Sequence, residues 1–182
     1  MTRGPTLPAH RLPHLPRPLD AFNTLPADEA RALLLRCLHS PRWSRRIADH
    51  RPYPDLDALM AAADEAAYDL SPADLAEALA GEALPELPED TYSAAHMAIG
   101  AAHAAYEARF GHAFVVYLGD VPPDEAIDHL LQAVRSRLTN DPEEERVMAA
   151  EELRRLAKGR LAARLRCARN HATSHNAPAV GT

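Results

Sequence analysis

The sequence predicts an all-α protein, a single domain that is a bundle of about seven helices. Three observations carry that prediction. Glycine is scarce, with 7 in 182 residues, and aromatic residues make up only 5%, whereas a β-sandwich needs many β-branched and aromatic side chains. Apolar residues recur at helical spacing along most of the chain. Ser-Pro and Asp-Pro pairs, which start helices well, stand ahead of several of these runs.

Residues 1–18 carry Pro5, Pro8, Pro13, Pro16 and Pro18 and are expected to be a disordered or polyproline-like head. The domain is placed at 19–169. In its first helix Thr24 is the expected cap, Pro26 sits in the first turn, and Asp28 and Glu29 complement the helix dipole. Leu33, Leu34, Cys37 and Leu38 fall on one face. Ser40-Pro41 starts a second helix that Pro52 and Pro54 end. A third, "DLDALMAAADEAAYDL", turns Leu56, Leu59, Met60, Ala63 and Ala67 inward. A fourth runs from Ser71-Pro72 to near Gly81. The acidic, proline-containing stretch "EALPELPEDTY" reads as a loop between two helical layers. A fifth helix starts at Ser93 and closes at Gly111.

The next block, "AFVVYL" at 113–118, breaks the pattern of Ala, Glu, Arg and Leu. It reads either as a short extended segment or as the buried start of the next helix, since its length alone does not decide. Gly119 to Pro123 make a turn, "DEAIDHLLQAVRSRLTN" a sixth helix, and residues from Asp141 a long seventh. That last helix has Asp141 as cap, Pro142 at its first position and three glutamates in its first turn. Residues 170–182 are expected to be a disordered tail.

Composition excludes several functions. A net charge of −6 gives no global basic field for nucleic acid. Cys37 and Cys167 are far apart and lack metal-ligand spacing. No apolar run approaches a membrane span, and "MTRGPTLPAHRLPHLPRPLD" has no hydrophobic stretch of a secretory signal. The expected location is the cytoplasm. No glycine-rich phosphate loop, nucleophile elbow or cysteine–histidine signature occurs, and no metal or cofactor is called for.

Few residues remain as carriers of chemistry. His10 and His14 lie in the head, and His171 and His175 in the tail lack the acidic third partner of a zinc site. His96 and His103, seven apart, share a face of the fifth helix. Glu82, Glu86, Glu89 and Asp90 cluster before that helix. Most of this cluster reads as a solvated acidic loop. A catalytic reading pairs Glu82 with His96, so that the carboxylate raises the affinity of the imidazole for a proton. The arginines of the last helix read first as a solvated face. One of them could reach an anionic substrate with its planar fork. A nucleic-acid surface is a third reading, well behind, since no aromatic residue is interleaved and no DNA- or RNA-binding motif occurs.

Three phrases together resemble one family. Residues 22–66, "FNTLPADEARALLLRCLHSPRWSRRIADHRPYPDLDALMAAADEA", are similar to the N-terminal half of 2-oxo-4-hydroxy-4-carboxy-5-ureidoimidazoline (OHCU) decarboxylase. "AYEARFGHAFVVY" resembles its central segment, and the Arg-Leu-x-Asn phrase at 137–140 with the helix after it resembles its end. The resemblance implies an all-α, often dimeric fold and a cofactor-independent lyase. That enzyme decarboxylates the small heterocycle downstream of urate oxidation to (S)-allantoin. It also implies that the backbone of Phe114, Val115 and Val116 meets the substrate. The chain departs from the family at two places. Glu82-Ala83 stand where a His-Pro pair belongs, and His96-Met97 follow Ser93 where Glu-Gln belongs. His96 is then the expected proton donor and Glu82 its orienting carboxylate. The alternative is a catalytically silent homologue that binds a small molecule or a partner protein.

Overall fold

Local capping chemistry sets most of the helix starts in the computed structural model, which describes residues 17–83 and 93–174. Eight helices occur among them: α1 Pro18–Thr24, α2 Ala27–Leu35, α3 Pro41–Asp49, α4 Leu56–Tyr68, α5 Pro72–Ala80, α6 Ser93–Phe110, α7 Ala126–Arg137 and α8 Pro142–Ser174. Ser40 accepts from the Trp43 amide at 3.3 Å, Asp55 from Ala58 at 2.8 Å, and Ser71 from Asp74 at 3.2 Å. Asp141 takes the amides of Glu143 and Glu144 at 2.8 and 3.0 Å. Each satisfies donors that a helix start leaves open.

The first helix differs from expectation. Thr24 does not cap α2. It ends α1, and its hydroxyl donates back to the Asp20 carbonyl at 2.9 Å. Pro18 sits in the first turn of α1 rather than in the head, a position proline suits because its missing N–H is not needed there. The remainder of the predicted head, residues 1–16, lies outside the described residues. At the other end α8 runs to Ser174, past the predicted boundary at 169, because neither glycine nor proline stands between 160 and 174 to stop it.

Two apolar clusters form. The larger gathers α1 to α5 against α8, with Phe22, Leu34, Trp43, Leu59, Leu153 and Leu161 at its centre. Trp43 is fully buried and donates its indole N–H to the Ala63 carbonyl at 2.9 Å. The smaller cluster joins α6 and α7 through Ile99, Tyr106, Leu130 and Val134. Leu34 of α2 is buried as expected, as are Cys37 and Leu38 just beyond its end. On α4, Leu56 is 45% exposed while Ala66 is buried, so the inward stripe begins one turn later than the pattern suggested. α1 is fixed to the loop after α3 by reciprocal bonds between Asn23 and Tyr53, at 2.8 and 2.9 Å. Arg51 reinforces this by donating to the Phe22 and Leu25 carbonyls at 2.8 Å each.

Two expectations follow. Ser40→Ala leaves a buried amide without its acceptor and is expected to cost about 1 kcal/mol, read from urea unfolding. Between α4 and α8, burial pushes the Asp64 carboxyl of α4 up, but hydrogen bonds and charge from Arg154 and Lys158 of α8 outweigh it and hold it below its ordinary value. A hydrogen bond from Arg154 likewise lowers Glu151. Stability from both carboxylates is therefore present above their unfolded pKa values and lost as pH falls through the lower folded ones. The unfolding free energy is expected to drop below about pH 4, with a shallower slope in Arg154→Met.

Candidate functional site

The block at 113–118 is extended, not the start of a helix. Gly111 makes this possible. Its φ of +77° is a conformation that glycine adopts without strain, and it ends α6 and redirects the chain. Successive side chains of an extended segment point to opposite sides. Phe114 and Val116 accordingly enter the smaller cluster while Val115 enters the larger. The segment is the seam between the two cores.

Its backbone is only partly used. The Val115 carbonyl accepts from Arg137 Nη1 at 2.5 Å, and the Tyr117 amide donates to Glu152 Oε2 at 2.6 Å. Among the described residues, the amides of Phe114, Val115 and Val116 and the carbonyls of Phe114 and Val116 have no partner. All three residues are buried. Buried peptide groups are nearly always paired, so this is an uncommon concentration of unused donors and acceptors.

A buried polar network holds the seam in place. Arg137, 6% exposed, donates from Nε to Glu145 Oε1 at 2.8 Å and also from Nη2, while Glu145 is wholly enclosed. The Tyr106 hydroxyl donates to the same oxygen, and Asn140 donates to Oε2 at 2.9 Å. The Arg137 guanidinium lies over the Phe114 ring, 4.5 Å from its centre, and the Tyr106 ring meets Phe114 edge-on at 4.9 Å. Burial pushes the Tyr106 hydroxyl above its ordinary pKa, and its bond to Glu145 adds to that, with Arg137 opposing. The phenol therefore stays a donor across the physiological range. Arg109 completes the arrangement by donating to the Asn140 carbonyl at 2.8 Å.

Beside the seam is a cavity of about 440 Å³. Phe114, Val115 and Val116 form one side, Leu156 and Arg160 of α8 another, and Glu82 with Ala83 close the end beyond α5. Arg36 and His39, both exposed, complete the lining. The Glu82 side chain is 3% exposed and pairs fork to fork with Arg160, both contacts at 2.7 Å. Arg160 also donates to the Cys37 carbonyl at 3.1 Å. The His39 ring rests on Gly81, where a Cβ would fall 2.5 Å from His39 Cγ and 2.7 Å from Nδ1.

The structure thus places Glu82 and Phe114–Val116 on one cavity. The expected Glu82–His96 pair is not what forms. His96 is exposed on α6 and does not line the cavity, and Glu82 gives both oxygens to Arg160. Its α6 neighbour His103 is instead 11% exposed and sits 3.2 Å from Glu107. The carboxylates Glu86, Glu89 and Asp90 lie outside the described residues. Sequence reasoning missed His39, Arg36 and the specific choice of Arg160. The only cue to His39 was its position directly before the helix cap Ser40. Of the other α8 cations, Arg154 and Lys158 pair with Asp64, Arg155 with Glu151 and Glu152, and Arg146 with Glu143. Among the described residues, no three His, Cys, Asp or Glu side chains come together as a metal site.

A family model described as OHCU decarboxylase matches residues 23–98 and 86–162. Among solved structures, one of an (S)-allantoin synthase is similar with a TM-score of 0.62 at 19% sequence identity, covering 80% of this chain and 53% of that one. The chain therefore spans about half the length of that relative, and the likeness is one of fold. No curated protein matches.

Breaking the buried pair has a clear expected cost. Arg137→Met or Glu145→Met alone should destabilise by about 3–5 kcal/mol, because each strands the other partner. Arg137→Met combined with Glu145→Met should cost less than the sum of the single changes. Denaturant unfolding of the three variants checks this.

Proposed function

The chain belongs to the OHCU decarboxylase family, and from that premise we propose that its cavity decarboxylates 2-oxo-4-hydroxy-4-carboxy-5-ureidoimidazoline to (S)-allantoin, or acts likewise on a similar small heterocycle. The observation that carries this reading is the set of backbone groups at the cavity without a partner among the described residues, the amides of Phe114, Val115 and Val116 and the carbonyls of Phe114 and Val116. A ureido-substituted ring is dense in amide donors and acceptors. Unused peptide groups in a half-apolar cavity are the complement it needs.

The chemistry requires three things. Breaking the carbon–carboxylate bond leaves an electron pair that must flow into the adjacent imine, so donors near the heteroatom that gains charge lower the barrier. The carboxylate leaves more readily from apolar surroundings, and Phe114, Val116, Leu118 and Leu156 give the cavity an apolar wall. One face of the ring must then be protonated by a positioned acid, which sets the configuration of the product. Main-chain amides of the seam serve the first requirement. They cost no reorganisation, because the Arg137 contact to Val115 already fixes the segment.

One observation favours a second reading. His96 is exposed and Glu82 is held by Arg160, so the pair expected to deliver the proton is not assembled. On that reading the chain is a silent homologue that keeps the pocket for binding alone. The purified protein, given freshly generated urate-oxidase product, separates the two. Carbon dioxide release with optically active allantoin supports the enzyme, and a rate no higher than without protein supports the silent homologue. Within the same assay His96→Ala is expected to match wild type, and a large loss would return that side chain to the mechanism.

A further inference from the structure

We infer that His39 is the acid that protonates the ring after carbon dioxide leaves, an inference that rests on the decarboxylase reading above. Four observations lead to it. His39 is the single imidazole among the described residues lining the cavity. It stands with Glu82 and Arg160 around the same space as the Phe114–Val116 backbone. Its ring lies against Gly81, so close that a Cβ built on that glycine would fall 2.5 Å from its Cγ and 2.7 Å from its Nδ1. The fourth observation concerns the alternatives. Glu82 is fully engaged by Arg160, and Arg36 and Arg160 do not give up protons at physiological pH.

The charged groups that share the cavity with His39 are Arg36, Arg160 and Glu82. Glu82 and Arg160 cancel each other, which leaves Arg36 as the net charge beside the imidazole. Arg36 has no ion-pair partner among the described residues and is placed to draw in the substrate carboxylate. The step is redox-neutral. The carbon–carboxylate bond breaks, its electron pair moves into the ring, and carbon dioxide leaves. An imidazolium N–H of His39 then supplies a proton to the ring carbon that becomes the stereocentre. Because His39 is exposed, solvent can return that proton, so no further group is required to complete the cycle.

Two variants test the assignment in the full-length protein with freshly generated urate-oxidase product. His39→Gln keeps length and polarity without the acid. Gly81→Ala keeps the acid but displaces it, since the added Cβ and the His39 ring cannot occupy the same space. Both are expected to lower kcat by roughly 100-fold or more and to yield allantoin of lower optical purity, with circular dichroism spectra of the folded variants unchanged. A structural role alone would not alter product configuration. Rate and optical purity equal to wild type in folded His39→Gln overturn the role of His39 and leave the decarboxylase reading standing. A wild-type protein with no activity overturns that reading, and the role of His39 falls with it.

Discussion

The enclosed pair of Arg137 and Glu145 is the interaction on which the rest of the site depends. A buried ion pair is stable only when the remaining hydrogen-bonding capacity of both partners is met. Here the Glu145 carboxylate takes bonds from Arg137, Tyr106 and Asn140, and Arg137 spends its remaining reach on the Val115 carbonyl. That last contact ties a charge network between α7 and α8 to the chain that separates the two cores. In an extended segment a slip of one residue would exchange the faces. It would drive Phe114 and Val116 toward the larger core and Val115 toward the smaller one. The Arg137 contact and the Tyr117–Glu152 bond fix this register at two points. The peptides between and beside them are then left free for another partner.

This arrangement explains why a helical protein contains so odd a block. The Phe, Val and Tyr residues at 114–117 do pack. Packing alone, however, would be met equally well by another helix, whose peptides would all be bonded internally. An extended seam fixed by side chains keeps its backbone polar groups available, and it does so in a place where α8, the end of α5 and the loop before α3 leave room. Arg160 and Glu82 reinforce the opposite side of that room by tying α8 to the residues after α5.

Much of the fold was legible in the sequence because its signals are local. Ser40-Pro41, Ser71-Pro72 and Asp141-Pro142 each mark a helix start within a few residues, and each is used so. Local signals also misled. Thr24 looked like a cap but closes a short helix that a seven-residue window does not reveal, since one or two turns carry too little periodicity. The site was legible only in part, for a related reason. Glu82 and Phe114–Val116 stood out as breaks in their surroundings. Arg160 reaches Glu82 across 78 positions and His39 meets Gly81 across a long stretch of chain, and no single-sequence pattern encodes contacts at that range. Two of the three phrases that resemble the family, the central one and the last, contribute to one physical object. Tyr106, Arg109, Arg137 and Asn140 all belong to the network that supports the seam.

The central claim is that the Phe114–Val116 peptides present unused hydrogen-bonding groups to a ligand cavity. The most direct test is a titration of isotopically labelled protein with (S)-allantoin, the product of the proposed reaction, followed by amide nuclear magnetic resonance. The account predicts saturable shifts of the Phe114, Val115 and Val116 amides that exceed those elsewhere in the chain. Amide signals at 114–116 that stay unmoved at saturating allantoin, or that resist solvent exchange as strongly as the helical amides of α8, would contradict it.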